Sequence, residues 1–288
     1  MQVPPSMPSF DPGRPSGEPQ PGYPALAATI MWAGFSLLLV SLLAVLLTRP
    51  GPRSRFLPAL IVTFSFAIAA RLLRGVTLSG AAAGFLVTLI LYVADGAAMF
   101  GAVLVVFVLT YLATRFGRTR KQSRAIAERS GGRDAAQVFA NIGCAALIAA
   151  VAPLLSIGPY LALNLAPAAL AEAAADTVSS EIGKSASGTA RMITSWRLVS
   201  AGTNGAISLW GSVAGIVAAA LVGTEIYFTR SHDPRAAIVT SVAGVLGMFF
   251  DSLLGATLEN RGMLTNNAVN LLSTAFSILA AMLLATFL

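Results

Sequence analysis

Glu172 and Asp176 stand four residues apart, a spacing that puts both carboxylates on one face of a helix. Ser180 continues that face and Glu181 follows one turn on. Gly183 is then expected to end the helix, and Lys184 brings a cation beside the acids. Carboxylates next to an ammonium group suit Mg2+ and phosphate, because Mg2+ is commonly held by one or two carboxylates together with substrate phosphates. Asp251, Gly255 and Glu259 repeat the pattern at spacings of four and four. They are expected to form one stripe whose glycine lets a backbone or ligand approach. Between the two sets, Thr194, Arg197, Gly202, Thr203, Asn204 and Gly205 offer hydroxyls, a cation and backbone N–H groups ahead of an expected helix start, where anions are favoured. Asn141, Asn267 and Asn270 add amides suited to nucleotide or phosphate contacts, whereas Asn266 reads as a helix cap. Gly183-Lys184-Ser185 is not a P-loop, since the glycine that motif requires five positions earlier is Val178 and no strand precedes it.

The elements that must position these residues are membrane helices. Of the 288 residues, 56% are hydrophobic and only 11% charged, against about 25% charged in ordinary soluble domains. Nine apolar segments are expected, at 25–48, 56–71, 76–94, 97–114, 135–155, 157–178, 205–229, 236–257 and 267–288. A span needs about 20 residues, so 56–71 is marginal and reads as short, tilted or re-entrant. The fold class is therefore all-α, a polytopic transmembrane helix bundle. Residues 1–24, with eight prolines and no apolar run, are expected to form a disordered tail. Residues 25–74 are taken as N-terminal membrane segments, and 75–288 as a catalytic-like membrane domain with loops at 115–133 and 182–203.

Carboxylates in or beside a bilayer are costly and mark functional sites by default. Arg115–Arg133 holds seven basic residues, which assigns that loop to the cytoplasm. Alternation of the spans from there puts Asp176, Glu181, Asn204, Asp251, Glu259, Asn267, Asn270 and Asn141 all on that face. Arg49–Arg55, with three arginines, then falls on the opposite side against the rule. One-sided clustering suits an enzyme head at a membrane surface better than a pore. The net charge of +7 reflects topology and lipid headgroups rather than nucleic acid, because no basic–aromatic interleaving accompanies it. One cysteine, Cys144, and one histidine, His232, exclude a disulfide framework and a Cys- or His-rich metal site.

The blocks AADTVSSEIG, GGRDAAQVFANIG, MITSWRLVSAGTNGAISLWG, FFDSLLGATLEN and NNAVNLLS resemble the signature blocks of a family of integral membrane proteins. That family contains human transmembrane protein 19 and the plant phytyl-phosphate kinases, and the resemblance runs from about Leu72 to Leu288. A more distant similarity reaches the CTP-using dolichol and phytol kinases and the phosphatidate cytidylyltransferases, through Asp176, Gly183, Lys184, Thr194, Arg197 and Gly202, then Asp251 and Glu259. At Trp196–Ala201 the chain departs from the family's Pro/Lys loop character, so the resemblance implies a reaction class more than a particular substrate. It implies CTP and Mg2+ at the cytoplasmic face of a bacterial-type inner or plasma membrane, acting on a lipid alcohol or phosphate. The expected activity is transfer of a phosphoryl group to an isoprenoid monophosphate, giving the diphosphate. Asp176, Asp251, Glu181 and Glu259 are the expected metal ligands, and Asp176, Asp251 and Lys184 the expected catalytic groups. A lipid cytidylyltransferase, a lipid-alcohol kinase and a transporter or flippase of phosphorylated lipids remain as alternatives.

Overall fold

The computed structural model describes residues 36–40, 43, 46–47, 50–123, 131–152, 154–155, 157–185 and 189–287. The proline-rich tail, most of the 25–48 segment and residues 124–130 of the basic loop lie outside them. The elements of the bundle include eight long helices bounded within the described residues: α1 (Pro50–Leu72), α2 (Leu78–Asp95), α3 (Ala97–Arg115), α5 (Ala135–Val151), α6 (Pro159–Ser185), α7 (Leu209–Ile226), α8 (Pro234–Leu254) and α9 (Asn266–Leu284). A short helix, α4 (Arg118–Ser123), follows α3. Among the described residues, six helices are long and apolar enough to cross a membrane, and one of them is Ser54–Leu72. The marginal segment is therefore of span length, since its helix begins upstream of Phe56. The fold is an all-α polytopic bundle.

α6 is its axis. It packs against α3, α5, α7, α8 and α9, and Asn164 through Ala175 are buried on every face. A helix enclosed all round must be apolar or small all round. The run of alanines from Ala166 to Ala175 meets that need and lets neighbouring backbones approach. Small residues on the partners complete the fit. A Cβ on Gly244 of α8 would lie 2.7 Å from Ala171 Cβ, and one on Gly211 of α7 would lie 2.6 Å from Ser179 O.

Gly183 does not end α6, which runs on to Ser185. The glycine serves packing instead, with Gly211 Cα and the Ser208 hydroxyl 3.9 and 3.0 Å from where its Cβ would be. The expected 182–203 loop is thus helical at its start and sheet further on. Strands β1 (Ala190–Met192), β2 (Leu198–Val199) and β3 (Ala206–Ile207) form a small antiparallel sheet in the order β2-β1-β3. α7 consequently starts at Leu209 rather than directly after Gly205, capped by the Ser208 hydroxyl. At α9 the cap is Thr265, whose hydroxyl accepts from Ala268 N, and Asn266 is the first helical residue.

Helix direction alternates, so two ends of the bundle are distinct. One gathers the C-termini of α1, α3, α6 and α8 with the N-termini of α2, α5, α7 and α9. The other carries Asp95, whose carboxylate pairs with Arg230 at 2.9 Å, and Arg55, which donates to Ala94 O at 3.4 Å. The Asp95 turn is tight, with Gly96 at φ +91°. The ion pair adds a tie from the end of α2 to the end of α7.

Candidate active site

Two carboxylates from different helices meet at the first end of the bundle. Asp176 of α6 and Asp251 of α8 lie close enough to act on each other electrostatically. Glu172, one turn deeper on the Asp176 face, neighbours both. It is 1% exposed, and among the described residues its Oε1 has no hydrogen-bond partner. Ser273 of α9 donates to Asp251 Oδ2 at 3.2 Å and adjoins Glu172. The depth of Glu172 is set by Gly247, where a Cβ would run into Glu172 Cγ and come within 3.0 Å of Ser277 Cβ.

Amides from two more places close the cluster. Asn141 of α5 is buried and donates to Gln137 O at 2.6 Å. The Asn270 amide lies between Asn141 and Asp251. In one orientation it donates to Asn141 Oδ1 at 3.3 Å; turned over, it donates to Asp251 Oδ2 at 3.3 Å and to Asn266 O at 3.0 Å. The second orientation gives the carboxylate a donor, and hydrogen-bond satisfaction is the proper criterion for an amide. Gln137, at the same helix start, is occupied structurally: it forms a reciprocal capping box with Asp134. Asn267 is half-buried in the first turn of α9.

Cations flank the acids. Lys184 and Arg133 both neighbour Asp176, and an Arg133 guanidinium nitrogen donates to Thr177 Oγ1 at 3.3 Å. Glu181 has a different surrounding. Its Oε2 accepts from Lys121 Nζ at 2.5 Å and its Oε1 from Lys184 Nζ at 3.1 Å. Lys121 is 1% exposed and also donates to the Ala113 and Thr114 carbonyls. Glu181, expected among the metal ligands, therefore has both oxygens on ammonium groups. It locks α4 and α6 together.

The glycine loop and the end of α8 are brought against each other. Gly255–Glu259 winds as a π-helical turn. Gly255 is approached by Gly205 N at 2.9 Å from its would-be Cβ, and Asn260 donates to Asn204 O at 3.1 Å. The expectation of a backbone approach at Gly255 is met by this loop. Gly202 and Gly205 have φ of +90° and +75°, conformations open to glycine without strain. Thr203 turns inward on its own loop, donating to Ser200 O at 2.8 Å. The π turn changes the helical register after Asp251, yet Glu259 still faces Asp176. Thr194 and Arg197 sit exposed in the β1–β2 hairpin turn. Among the described residues their side chains make no hydrogen bond or ion pair with the carboxylates.

Mg2+ can be tested against these residues. The donors are all oxygens, two facing carboxylates repel without a cation between them, and Glu172 Oε1 is buried without a partner. Among the described residues no three carboxylate, His or Cys groups converge as a ready metal cage. The residues fit Mg2+: Asp176 and Asp251 would hold it, with Glu172 and Glu259 near them.

Arg133, Thr177, Lys121 and Ser273 were not legible as site residues. Arg133 and Lys121 lie in a basic stretch that also reads as a topology signal. Ser273 carried one weak sign, its spacing of three from Asn270 on the same helix.

Fold and site together define a polytopic helical membrane protein with an acidic, cation-flanked cluster at one end of its bundle. The chain belongs to the integral membrane protein family DUF92, whose model matches residues 61–278. That match begins inside α1, upstream of the Leu72 start that the sequence blocks suggest, and it ends inside α9, beyond Ser273. The chain is 29% identical over 223 residues to the chloroplastic protein VTE6 of Arabidopsis thaliana, covering 75% of this chain and 67% of that protein. It is 30% identical over 247 residues to protein PGR of the same plant, covering 74% and 82%. An uncharacterised membrane protein of Methanocaldococcus jannaschii is 34% identical over 169 residues, covering 58% and 68%. No solved structure matches the chain.

Proposed function

We propose that the protein is a membrane-embedded phosphotransferase that uses CTP and Mg2+ to convert an isoprenoid monophosphate to its diphosphate. The observation that carries this reading is the meeting of Asp176 and Asp251 beside Lys184 and Arg133, with the unpartnered Glu172 oxygen behind them. The family resemblance supplies the isoprenoid phosphate, and the distant resemblance to CTP-using kinases supplies the donor.

Phosphoryl transfer asks a protein mainly for positioning and charge neutralisation. An acceptor phosphate oxygen forms a P–O bond to the γ-phosphorus, the β–γ bridging P–O bond breaks, and its electron pair leaves on the nucleoside diphosphate. Asp176 and Asp251 would hold Mg2+, which neutralises phosphate charge when bound. Lys184 and Arg133 balance the remaining negative charge. Gly202, Thr203, Asn204 and Gly205, pressed on the end of α8, form the wall for donor phosphates, with Asn267 and Asn270 at its edge. A monophosphate acceptor is already ionised near neutral pH, so the reaction needs no histidine base. The site faces the cytoplasm in this reading, where nucleotide is available.

The test is purified protein in detergent with Mg2+, γ-labelled CTP and a panel of isoprenyl monophosphates. Label is expected in a prenyl diphosphate. Asp176→Asn and Asp251→Asn should each lower the rate by at least about 10²-fold, the scale of losing one preorganised electrostatic contact. Label on CDP-lipid instead would favour the cytidylyltransferase. One observation favours a second reading, a transporter of phosphorylated lipids. Among the described residues, Asn164 Oδ1, Tyr160 Oη and Thr240 Oγ1 are buried without partners in the other half of α6 and α8, so polar groups do not stop at the carboxylates. Substrate movement in vesicles without nucleotide turnover would decide for it.

A further inference from the structure

A cavity of about 440 Å³ opens beside the carboxylates, between α1, α2, α3 and α5. Its volume lies within the roughly 300–1,000 Å³ of small-molecule sites. Its two ends differ in chemistry. Arg74, Arg115, Arg118 and Arg133 line one end, and among the described lining residues there is no acid. The other end is walled by apolar groups such as Phe66, Val103 and Phe107. The arginine end is built rather than incidental. Arg115 stacks over the Tyr111 ring at 4.3 Å and donates to Leu73 O at 3.0 Å. Phe107 stacks in turn on Tyr111 and meets Phe66 edge-on at 5.1 Å.

Two lining residues also belong to the carboxylate cluster. Arg133 neighbours Asp176 and bonds Thr177, and Asn141 meets Asn270 next to Asp251. A group held at the arginine end therefore lies beside the acids. Guanidinium groups bind phosphate oxygens through paired N–H donors, and helices inside a bilayer give an apolar chain a path in from the lipid.

We propose that this cavity is the acceptor site: the four arginines take the phosphomonoester of a single-chain lipid, and the α1–α3–α5 walls take its tail. The inference deepens the proposed function and rests on it for the isoprenoid nature of the chain. Gly84 offers a plug. A Cβ there would meet nothing within 4 Å, and the residue lines the cavity from α2. Leucine at this position fills the space while improving helix propensity.

The experiment uses a diazirine-bearing farnesyl-type monophosphate with the full chain in detergent and no nucleotide. Cross-links are expected on peptides carrying Phe66 and Phe107. Unlabelled farnesyl monophosphate should displace the probe, whereas farnesol, inorganic phosphate and phosphatidylglycerol should not. Gly84→Leu should cut labelling at least tenfold, and Arg115→Gln and Arg118→Gln should each weaken binding about tenfold. Labelling outside the cavity, displacement by farnesol, by phosphate alone or by phosphatidylglycerol, or undiminished labelling in Gly84→Leu would overturn the assignment. If phosphoryl transfer proceeds at full rate in Gly84→Leu, the acceptor site fails and the kinase stands. If cavity labelling holds but no transfer occurs with any nucleotide, the kinase fails and the lipid-phosphate site stands.

Discussion

Glu181 and Lys121 show how two charged residues are kept at the edge of a membrane bundle. Their side chains are 4% and 1% exposed, and the lysine's remaining donors go to two helix-end carbonyls. A buried pair of this kind adds little over an apolar replacement, but breaking it strands a charge. Lys121→Met is therefore expected to destabilise the protein by about 3–5 kcal/mol, read as a lowered thermal midpoint in detergent. Lys121→Met combined with Glu181→Leu should recover part of that loss. Equal losses in the single and double variants would show that the pair itself is not what holds α4 to α6. Lys184 also bonds Glu181, so the acid has a second cation, and the penalty should be larger for Lys121→Met than for Lys184→Met.

At the scale of elements, the decisive contact joins the Gly202–Gly205 loop to the π turn at Gly255–Glu259. A Cβ on Gly205 would fall on the Ala256 backbone, and its φ of +75° already disfavours any L side chain. Gly205→Ala should therefore push the loop off α8 and misalign Glu259 and Asn204 together. The expected result is a loss of phosphoryl transfer of tenfold or more, with a stability cost of about 1–3 kcal/mol. Gly262→Ala is the control for backbone strain alone, since its φ is +69° but its Cβ would meet nothing within 4 Å. Matching defects in the two variants would mean that loop contact has no part in the site.

For the whole molecule, alternating helices place the carboxylates at one end and the Asp95–Arg230 pair at the other. Basic residues sit at both ends. In a Cys144→Ala background, Ser195→Cys and His232→Cys put single thiols at exposed positions of opposite ends. A cytoplasmic site predicts that a membrane-impermeant thiol reagent labels His232→Cys from outside intact cells. It should reach Ser195→Cys only in inverted vesicles. The reverse pattern would place the acids outside, away from cytoplasmic CTP.

Long apolar runs, most of them of span length, were enough to give a polytopic all-α bundle, because a bilayer leaves few other ways to satisfy the backbone. Spacing alone put Glu172 with Asp176 on one helix face, since a helix repeats every 3.6 residues. Local chemistry misled where tertiary contact overrode it. Gly183 reads as a helix stop but is a packing glycine inside α6, and the stretch before α7 reads as a loop but pairs as a small sheet. Lys121 and Arg133 read as loop charges because their partners lie on α6, far along the chain. The meeting of Asp176 with Asp251, the orphaned oxygen of Glu172 and the arginine-mouthed cavity depend on how separate helices pack. No local pattern encodes that distance, so only the tertiary structure decided it.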